Sequence, residues 1–274
     1  MPLARETRIV IAIQTVNRKF FAIRYPGRRD LKVRIQYKIL VMAASLSLAS
    51  VTLIGQAPRL PVYEIRRTAT PIKVDGNLND VAWTKATLVG DFVNNSDGSQ
   101  SPYKTEARVL YDEKFLYFSF RCTDDNIWST MRRRDEHLWE EEVVEVFLQA
   151  DATQPSYIEL EVNPLGTMLD IYLLGIRKPL HYESWNSEKL RWAVQVDGTV
   201  DGKAGDHEWT CEIALPMEDV VTAPHNPPQP GDRWRMNLYR TEHLPAPASL
   251  AWSPTLRDDF HIPERFGEIV FTDR

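Results

Sequence analysis

The sequence has only two cysteines in 274 residues, Cys122 and Cys211, and no cysteine or histidine spacing that is typical of a zinc site. It also lacks a Ser-His-Asp or Cys-His arrangement and any glycine-rich phosphate loop. From residue 61 onward, no amphipathic run of helical period is long enough to form a substantial helix. These absences argue against a zinc protein, a nucleophilic hydrolase, a nucleotide-binding enzyme and a helical fold. We expect both cysteines to be buried free thiols, because a domain of this size does not need a disulfide.

Positive charge is scarce outside the N-terminal region. Residues 1–41 hold ten Lys or Arg and two acidic residues, and residues 42–57 hold no charged residue. Since the whole chain has 33 basic and 38 acidic residues, residues 58–274 keep 23 basic and 36 acidic ones, a net charge of −13. This acidic balance argues against nucleic acid or an anionic membrane as the partner of the folded part.

The N-terminal region is typical of an export signal. A basic stretch, Arg34–Lys38, precedes an uncharged run of 17 residues, Ile39–Gly55, which is rich in Leu, Ala, Val and Ser. This order matches the n-region and h-region of a secretory signal peptide, and we expect cleavage near Ala57 and a secreted or periplasmic protein. An uncleaved membrane anchor is the alternative. Residues 1–33 form a basic extension upstream, which we interpret as an over-long gene start.

The remainder, residues 58–274, predicts a single all-β domain. Short segments of alternating polarity are separated by turn signals, such as Asp112-Glu113-Lys114 between two strands. We expect an antiparallel β-sandwich of about ten strands, immunoglobulin-like or jelly-roll-like. Residues 72–83 predict a further strand, an Asp75-Gly76 turn and a short helical turn that buries Trp83. The main predicted strands are 62–67, 105–111, 115–122, 143–149, 157–162, 168–174, 190–196, 209–215, 234–241 and 268–271.

The segment Trp139–Leu148 organises the candidate site. It begins with a tryptophan and three glutamates and continues as an alternating strand, in which Val144 and Val146 face one side. Glu145 faces the other side, in the middle of the strand. A glutamate is disfavoured there unless it is solvated or binds a partner.

Aromatic residues in loops beside a sandwich face indicate a sugar site. A flat ring matches the C–H face of a pyranose, while carboxylates, amides and guanidinium groups bond the hydroxyls. Trp139, Trp252 and Phe260 are the aromatic candidates, although Trp252 fits the core equally well. The polar candidates are Glu145, Asn163, Tyr239 and Arg240, and we add His261 because it follows Phe260. Trp83, Trp192, Trp209 and Trp234 lie in or beside predicted strands and are expected in the core.

Two other classes of function stay open. Paired carboxylates could catalyse glycoside hydrolysis, with Glu145 acting together with Glu141 or Glu161. The other class is an electron-transfer domain that carries a haem.

An ordered set of motifs between about Pro61 and Phe271 resembles the family 9 carbohydrate-binding modules. The motifs are residues 72–83, Tyr111-Asp-Glu-Lys-Phe-Leu-Tyr117, Trp139-Glu-Glu-Glu-Val-Val-Glu-Val-Phe147, Val162-Asn163, Trp209-Thr-Cys-Glu-Ile-Ala-Leu-Pro216, Met236-Asn237 and Ala251-Trp-Ser-Pro254 leading to Phe260-His-Ile-Pro-Glu-Arg-Phe-Gly267. The resemblance implies a non-catalytic antiparallel sandwich that grips the end of a glycan between two tryptophans. It also implies structural calcium. Loop carboxylates such as Asp124, Asp125 and Asp135 are chemically reasonable donors, but no loop has the regular alternation of an EF-hand, so the sequence assigns no ligands. The related fold also includes modules that bind haem through methionine with histidine or lysine, and the residues to consider as axial ligands are Met168, Met236, His243 and His261.

The resemblance assigns roles to individual positions. Trp139 matches the first clamp tryptophan and Glu145 the hydroxyl-binding strand glutamate, and Asn163 is kept. Phe260 stands where the family has its second tryptophan, Tyr239 where it has a glutamine, and Glu161 where it has an arginine. The expected function is therefore exported, non-catalytic binding of an oligo- or polysaccharide. Glycan-degrading enzymes are the expected protein partners, because most such modules are appended to one.

Overall fold

The fold is built from β-strands whose side chains alternate in polarity. The computed structural model describes residues 59–177 and 185–273. Within these ranges there are twelve strands, numbered in chain order: β1 Val62–Arg67, β2 Val93–Asn94, β3 Thr105–Tyr111, β4 Phe115–Thr123, β5 Val143–Gln149, β6 Tyr157–Val162, β7 Met168–Leu173, β8 Arg191–Asp197, β9 Glu208–Pro216, β10 Arg233–Glu242, β11 Ala248–Ala251 and β12 Gly267–Thr272. Four short 3-10 turns span Val81–Lys85, Leu138–Glu140, Met217–Asp219 and Pro263–Arg265.

The strands form one curled sheet in the order β7-β6-β5-β10-β12-β1-β3-β4-β9-β8. Outside this order, β11 pairs with β10 and also with β2. Residues from both halves of this order, among them Val109, Phe118, Val146 and Leu238, belong to one buried apolar cluster. The sheet therefore folds over into two layers around a common core, and the predicted all-β sandwich is confirmed.

The pairing is antiparallel with two exceptions. The first strand, β1, runs parallel to both of its neighbours, β12 and β3. Ten predicted strands coincide with observed ones to within a residue or two. The short strands β2 and β11 were not predicted, because two to four residues carry too little periodicity to be recognised.

The strand predicted at the beginning of residues 72–83 is wrong. The segment joins no ladder, and a buried carboxylate holds it instead: Asp75 and Gly76 donate their backbone N–H to Glu212 Oε2 at 3.0 Å. The indole of Trp83 donates to Glu212 Oε1 at 2.8 Å. The predicted helical turn is present at Val81–Lys85 and buries Trp83.

Cys122 and Cys211 are free and buried, as expected. All described residues belong to one compact unit. No helix of this part of the chain is both long and apolar enough to cross a bilayer. The predicted signal peptide and the basic extension, residues 1–57, lie outside the described residues and stay predictions.

Candidate functional site

The candidate site lies on the outer face of the layer that contains β5, β6 and β10. Along β5, Val144 and Val146 point into the core between the layers, and Glu145 and Phe147 point outward. The same alternation holds in β6 and β10, since side chains change face at every residue. A second apolar cluster, which includes Phe147, Tyr157, Tyr239 and Phe266, covers much of this outer face.

A cavity of about 570 Å³ opens on the uncovered part of the outer face. Its lining includes Trp139, Glu145, Glu159, Arg177, Phe260 and His261. A larger surface groove, of about 720 Å³, lies near Phe115 and Pro227. Its charged members Lys189 and Glu218 are exposed and paired with each other at 2.7 Å. Only the smaller cavity combines aromatic rings with buried carboxylates, and it is the size of a small-ligand site.

Each of the two predicted clamp rings rests on another ring of the protein. Phe260 stacks on Tyr239 with the ring centroids 4.0 Å apart and the planes 9° from parallel. The Tyr239 hydroxyl donates to the Phe260 carbonyl oxygen at 2.9 Å. Trp139 stacks on His137 with the centroids 4.4 Å apart. The backing fixes the orientation of both rings beside the cavity.

Three glutamates lie close together on this face, and we call them the outer triad: Glu145, Glu159 and Glu161. Glu145 lies directly opposite Glu161 in the β5/β6 ladder, and Glu159 lies two residues along β6 on the same face. One oxygen from each lies within 4.8 Å of the others. Glu145 and Glu159 line the cavity, whereas Glu161 lies beneath them and is fully buried.

The outer triad has few hydrogen-bond partners. Thr241 Oγ1 donates to Glu145 Oε1 at 3.3 Å. Neither oxygen of Glu161 makes a hydrogen bond of ordinary geometry, and the same is true of Oε2 of Glu159. Burial raises the pKa of Glu159 to about 7. Burial, reinforced by the neighbouring glutamates, raises the pKa values of Glu145 and Glu161 well above the ordinary value. Without a cation, this cluster therefore retains protons at neutral pH.

His261 is a neutral member of the cavity lining. Its Nδ1 lies 2.7 Å from the Tyr157 hydroxyl. Burial, together with the charge of Arg177, lowers the pKa of His261 to about 4, and Asp259 opposes this shift. Arg177 pairs with Asp259 at 2.7 Å. His261 can accordingly offer a neutral ring to a ligand at physiological pH.

Four predicted site residues do not line the cavity: Asn163, Arg240 and Trp252, and also Tyr239, which lies behind Phe260. Asn163 is fully buried, and its amide nitrogen donates to Ser129 Oγ and the Met131 carbonyl at 2.8 and 2.9 Å. Its side-chain oxygen accepts the Thr167 backbone N–H at 2.8 Å. Because both ends of the amide have partners, Asn163 fixes the loop before β5 against the β6–β7 turn.

Trp252 and Arg240 belong to the inner side of the sheet. Trp252 is 5% exposed and packs against Gly267, where an added Cβ would meet the ring at 2.6 Å. Arg240 follows Tyr239 in β10 and therefore faces the opposite side. It is 1% exposed, and its guanidinium contacts Asp124 at 3.2 Å and also Glu242.

Arg240 completes a second carboxylate cluster, the inner triad of Asp124, Glu142 and Glu242. Burial and Glu242 raise the pKa of Glu142 to about 10. Burial also raises the pKa values of Asp124 and Glu242, although Arg240 opposes both shifts. Arg240 already supplies the positive charge that these carboxylates need, so the donor set is a poor fit for the calcium that the resemblance implies.

The loop aspartates that were considered as calcium donors do not form one cluster. Asp124 joins the inner triad, whereas Asp135 lies beside Arg134 and donates its backbone N–H to the Met168 carbonyl at 3.0 Å. Asp125 is exposed and accepts backbone N–H groups from Gly205 and Asp206 through its carbonyl.

The haem ligands are also separated. Met168 and Met236 are buried in the core between the layers, while His261 lies on the outer face. His243 packs against Trp128, with ring centroids 5.9 Å apart. No methionine and histidine of this set share a site in the described part of the chain.

The acid pair of the enzyme hypothesis is not formed by Glu141. Glu141 accepts hydrogen bonds from Ser129 Oγ, from both Thr130 N and Oγ1, and from Met131 N. Burial would raise the pKa of Glu141, but these bonds outweigh it and lower the pKa. Glu161 does lie beside Glu145, but it is fully buried and does not line the cavity.

The structure thus brings Trp139, Glu145, Phe260 and His261 together at one cavity and places Tyr239 behind Phe260. Arg177 was missed, because it lies in a loop with no pattern around it. Glu159 was not among the predicted site residues. Its alternation with Glu161 in β6 was the signal that both share a face with Glu145.

A sequence profile described as carbohydrate-binding family 9 matches residues 78–271. No curated protein matches the chain. Among solved structures, a candidate carbohydrate-binding protein from Bacteroides uniformis is similar with a TM-score of 0.62 and 15% identity, over 78% of this chain and 100% of that one. A family 9 module from Caldicellulosiruptor kristjanssonii in complex with cellotriose gives a TM-score of 0.55 at 12% identity, over 78% and 94% of the two chains. The same organism's module with glucose gives 0.53 at 12%, over 77% and 96%.

Proposed function

Because the chain belongs to carbohydrate-binding family 9, we propose that it is an exported protein that binds a saccharide in the outer cavity without chemically changing it. The observation that carries this proposal is the cavity itself, in which Trp139 and Phe260 stand beside a floor of glutamates. Aromatic faces suit pyranose C–H surfaces, and carboxylates accept hydrogen bonds from sugar hydroxyls.

The proposed ligand is the end of a chain or a small oligosaccharide. A cavity of about 570 Å³ suits a ligand of a few sugar rings at most. The similar modules from Caldicellulosiruptor kristjanssonii are described with cellotriose and with glucose, and these are the first ligands to test. Stacking with a few hydroxyl bonds typically yields dissociation constants between about a micromolar and a millimolar.

In the proposed site, Trp139 supplies the stacking face and Glu145 accepts a hydroxyl. Phe260 supplies the opposite face and is held by Tyr239 behind it. His261, bonded to Tyr157, borders the ligand as a neutral polar group. Export would depend on the predicted signal at residues 34–57, and the bound glycan would bring the protein to the substrates of glycan-degrading enzymes.

The test is calorimetric titration with glucose, cellotriose and xylo-oligosaccharides, preceded by a glycan array. We expect Trp139→Ala to weaken binding by tenfold or more, because lost ring stacking and buried area together exceed about 1.4 kcal/mol. Glu145→Gln should weaken it less, because the amide oxygen still accepts a hydroxyl.

Trp192→Ala is the matched control, since Trp192 is also half-buried but lies in β8 and donates to the Gly166 carbonyl at 2.9 Å. Equal affinity in the native protein and in Trp139→Ala would contradict the site. Absence of any glycan binding by the folded native protein would contradict the function.

A further inference from the structure

The outer triad is a set of buried carboxylates with no cation of its own in the described residues. Glu145, Glu159 and Glu161 are at most 4% exposed. Arg177, which lines the same cavity, pairs with Asp259 instead. Carboxylates are almost never this buried unless they are paired with a cation or coordinate a metal.

Glu161 is the residue that most needs a ligand. It is fully buried at the centre of the triad, and neither of its oxygens makes a hydrogen bond of ordinary geometry. Oε2 of Glu159 is in the same condition.

The spacing of the three carboxylates matches a single ion. One oxygen from each residue lies within 4.8 Å of the other two. Calcium binds oxygen at roughly 2.3–2.6 Å, so two oxygens on one ion can be no more than about 5 Å apart. The three oxygens can therefore reach one ion with little change in the strands that carry them.

We propose that Glu145, Glu159 and Glu161 together bind one hard divalent cation, of the calcium class, at the floor of the outer cavity. The donor set consists only of carboxylate oxygens, which favours calcium, magnesium or manganese over zinc and copper. Calcium takes six to eight oxygens, more than three carboxylates supply when monodentate. Further oxygens would come from water or from a ligand on the open side, where Glu145 and Glu159 line the cavity.

One consequence rests on the proposed function: a saccharide in the cavity would meet the ion, and its binding would depend on the cation. The cation site itself needs no sugar. A test with the metal alone can therefore fail while sugar binding stands, and sugar binding can fail while the metal site stands.

The experiment uses the full chain, stripped with EDTA and dialysed, and titrated with calcium chloride and separately with magnesium chloride. We expect one equivalent of cation to bind and the midpoint of thermal unfolding to rise with its concentration. Glu161→Gln keeps the shape but removes one charged ligand, and should weaken the binding at least tenfold and abolish the thermal shift.

Glu142→Gln is the matched control, because it makes the same change in the inner triad and should keep both effects. If Glu161→Gln does not fold, Glu159→Gln serves in its place with the same expectation. The proposal is overturned if millimolar calcium and magnesium neither bind nor stabilise the native chain. It is also overturned if Glu142→Gln abolishes binding while the outer variants retain it.

Discussion

Two triads of buried carboxylates lie on opposite sides of β5 and β10, and their negative charge is balanced differently. The inner triad surrounds Arg240, whose guanidinium contacts Asp124 and Glu242. The outer triad has three glutamates and no basic partner among the residues described, and it faces a cavity. A carboxylate cluster that contains an arginine is a structural unit, whereas one without a cation at the floor of a cavity is a place where a ligand can act.

The largest effect should follow from making the inner triad resemble the outer one. Arg240→Met would leave three carboxylates buried without their cation, and we expect a loss of about 3–5 kcal/mol in the free energy of unfolding. Urea denaturation at neutral pH measures it. Arg235→Met is the control, since Arg235 lies on the outer side of the same strand and should change stability by no more than about 0.5 kcal/mol. A similar small loss in Arg240→Met would show that the ion pairs are not the main support of this region.

The basic side chains near the two triads, Arg240 and His261, should also respond differently to acid. Arg240 stays charged throughout, but His261 in the outer cavity has a pKa lowered to about 4, below its ordinary value of 6.5. Its unfolded form therefore binds more protons than its folded form between those values, so the contribution of His261 to stability falls as the pH drops from about 6.5 to 4, whereas carboxyl groups with raised pKa values, such as Glu159, act in the opposite direction.

Because a tenfold change in proton affinity corresponds to about 1.4 kcal/mol, His261 contributes up to about 3 kcal/mol to this loss. Arg177, Asp259 and Tyr157 surround the ring and remain in His261→Gln, so lowering the pH from 6.5 to 4 should destabilise the variant less than the native protein. An unaltered pH dependence of stability in His261→Gln would mean that the ring is charged in the folded protein.

The smallest expected effect is the most direct comparison, because one substitution should act with opposite signs on the two faces. Glu242→Gln removes a charged partner of Arg240 and should destabilise the protein by about 1.5–3 kcal/mol. Glu161→Gln, measured in EDTA, removes a carboxyl group that must take up a proton to be buried at neutral pH, and should stabilise the protein by about 1 kcal/mol. Loss of stability in both variants would contradict the distinction between the triads.

Much of the fold could be predicted from the sequence, because strands of six or more residues alternate clearly between polar and apolar positions. The same alternation correctly separated Val144 and Val146 from Glu145. It also indicated that Tyr239 and Arg240 face opposite sides, so placing both in one site was inconsistent with the pattern.

What could not be predicted was the pairing between distant strands. Periodicity assigns a residue to a face, but only the β5/β6 register places Glu161 opposite Glu145. The roles of Asn163 and Trp252 depend on neighbours more than ten residues away in the chain, Met131 and Gly267. The resemblance to the family indicated a surface on which Trp139, Glu145, Phe260 and His261 lie together at one cavity, while the contacts of single residues required the folded structure.

The parallel ladder between β1 and β12 has a consequence for the order in which the protein is made. The first and last strands, β1 and β12, lie side by side at the centre of the main order of ten strands. Their pairing joins the two halves of that order. The ribosome must therefore release nearly the whole chain before this seam can close. Since joining such distant segments costs loop entropy that local contacts cannot offset, we expect folding to be slow and post-translational. A chain that loses β12 would keep all the residues of the outer triad and still be unable to join its two halves.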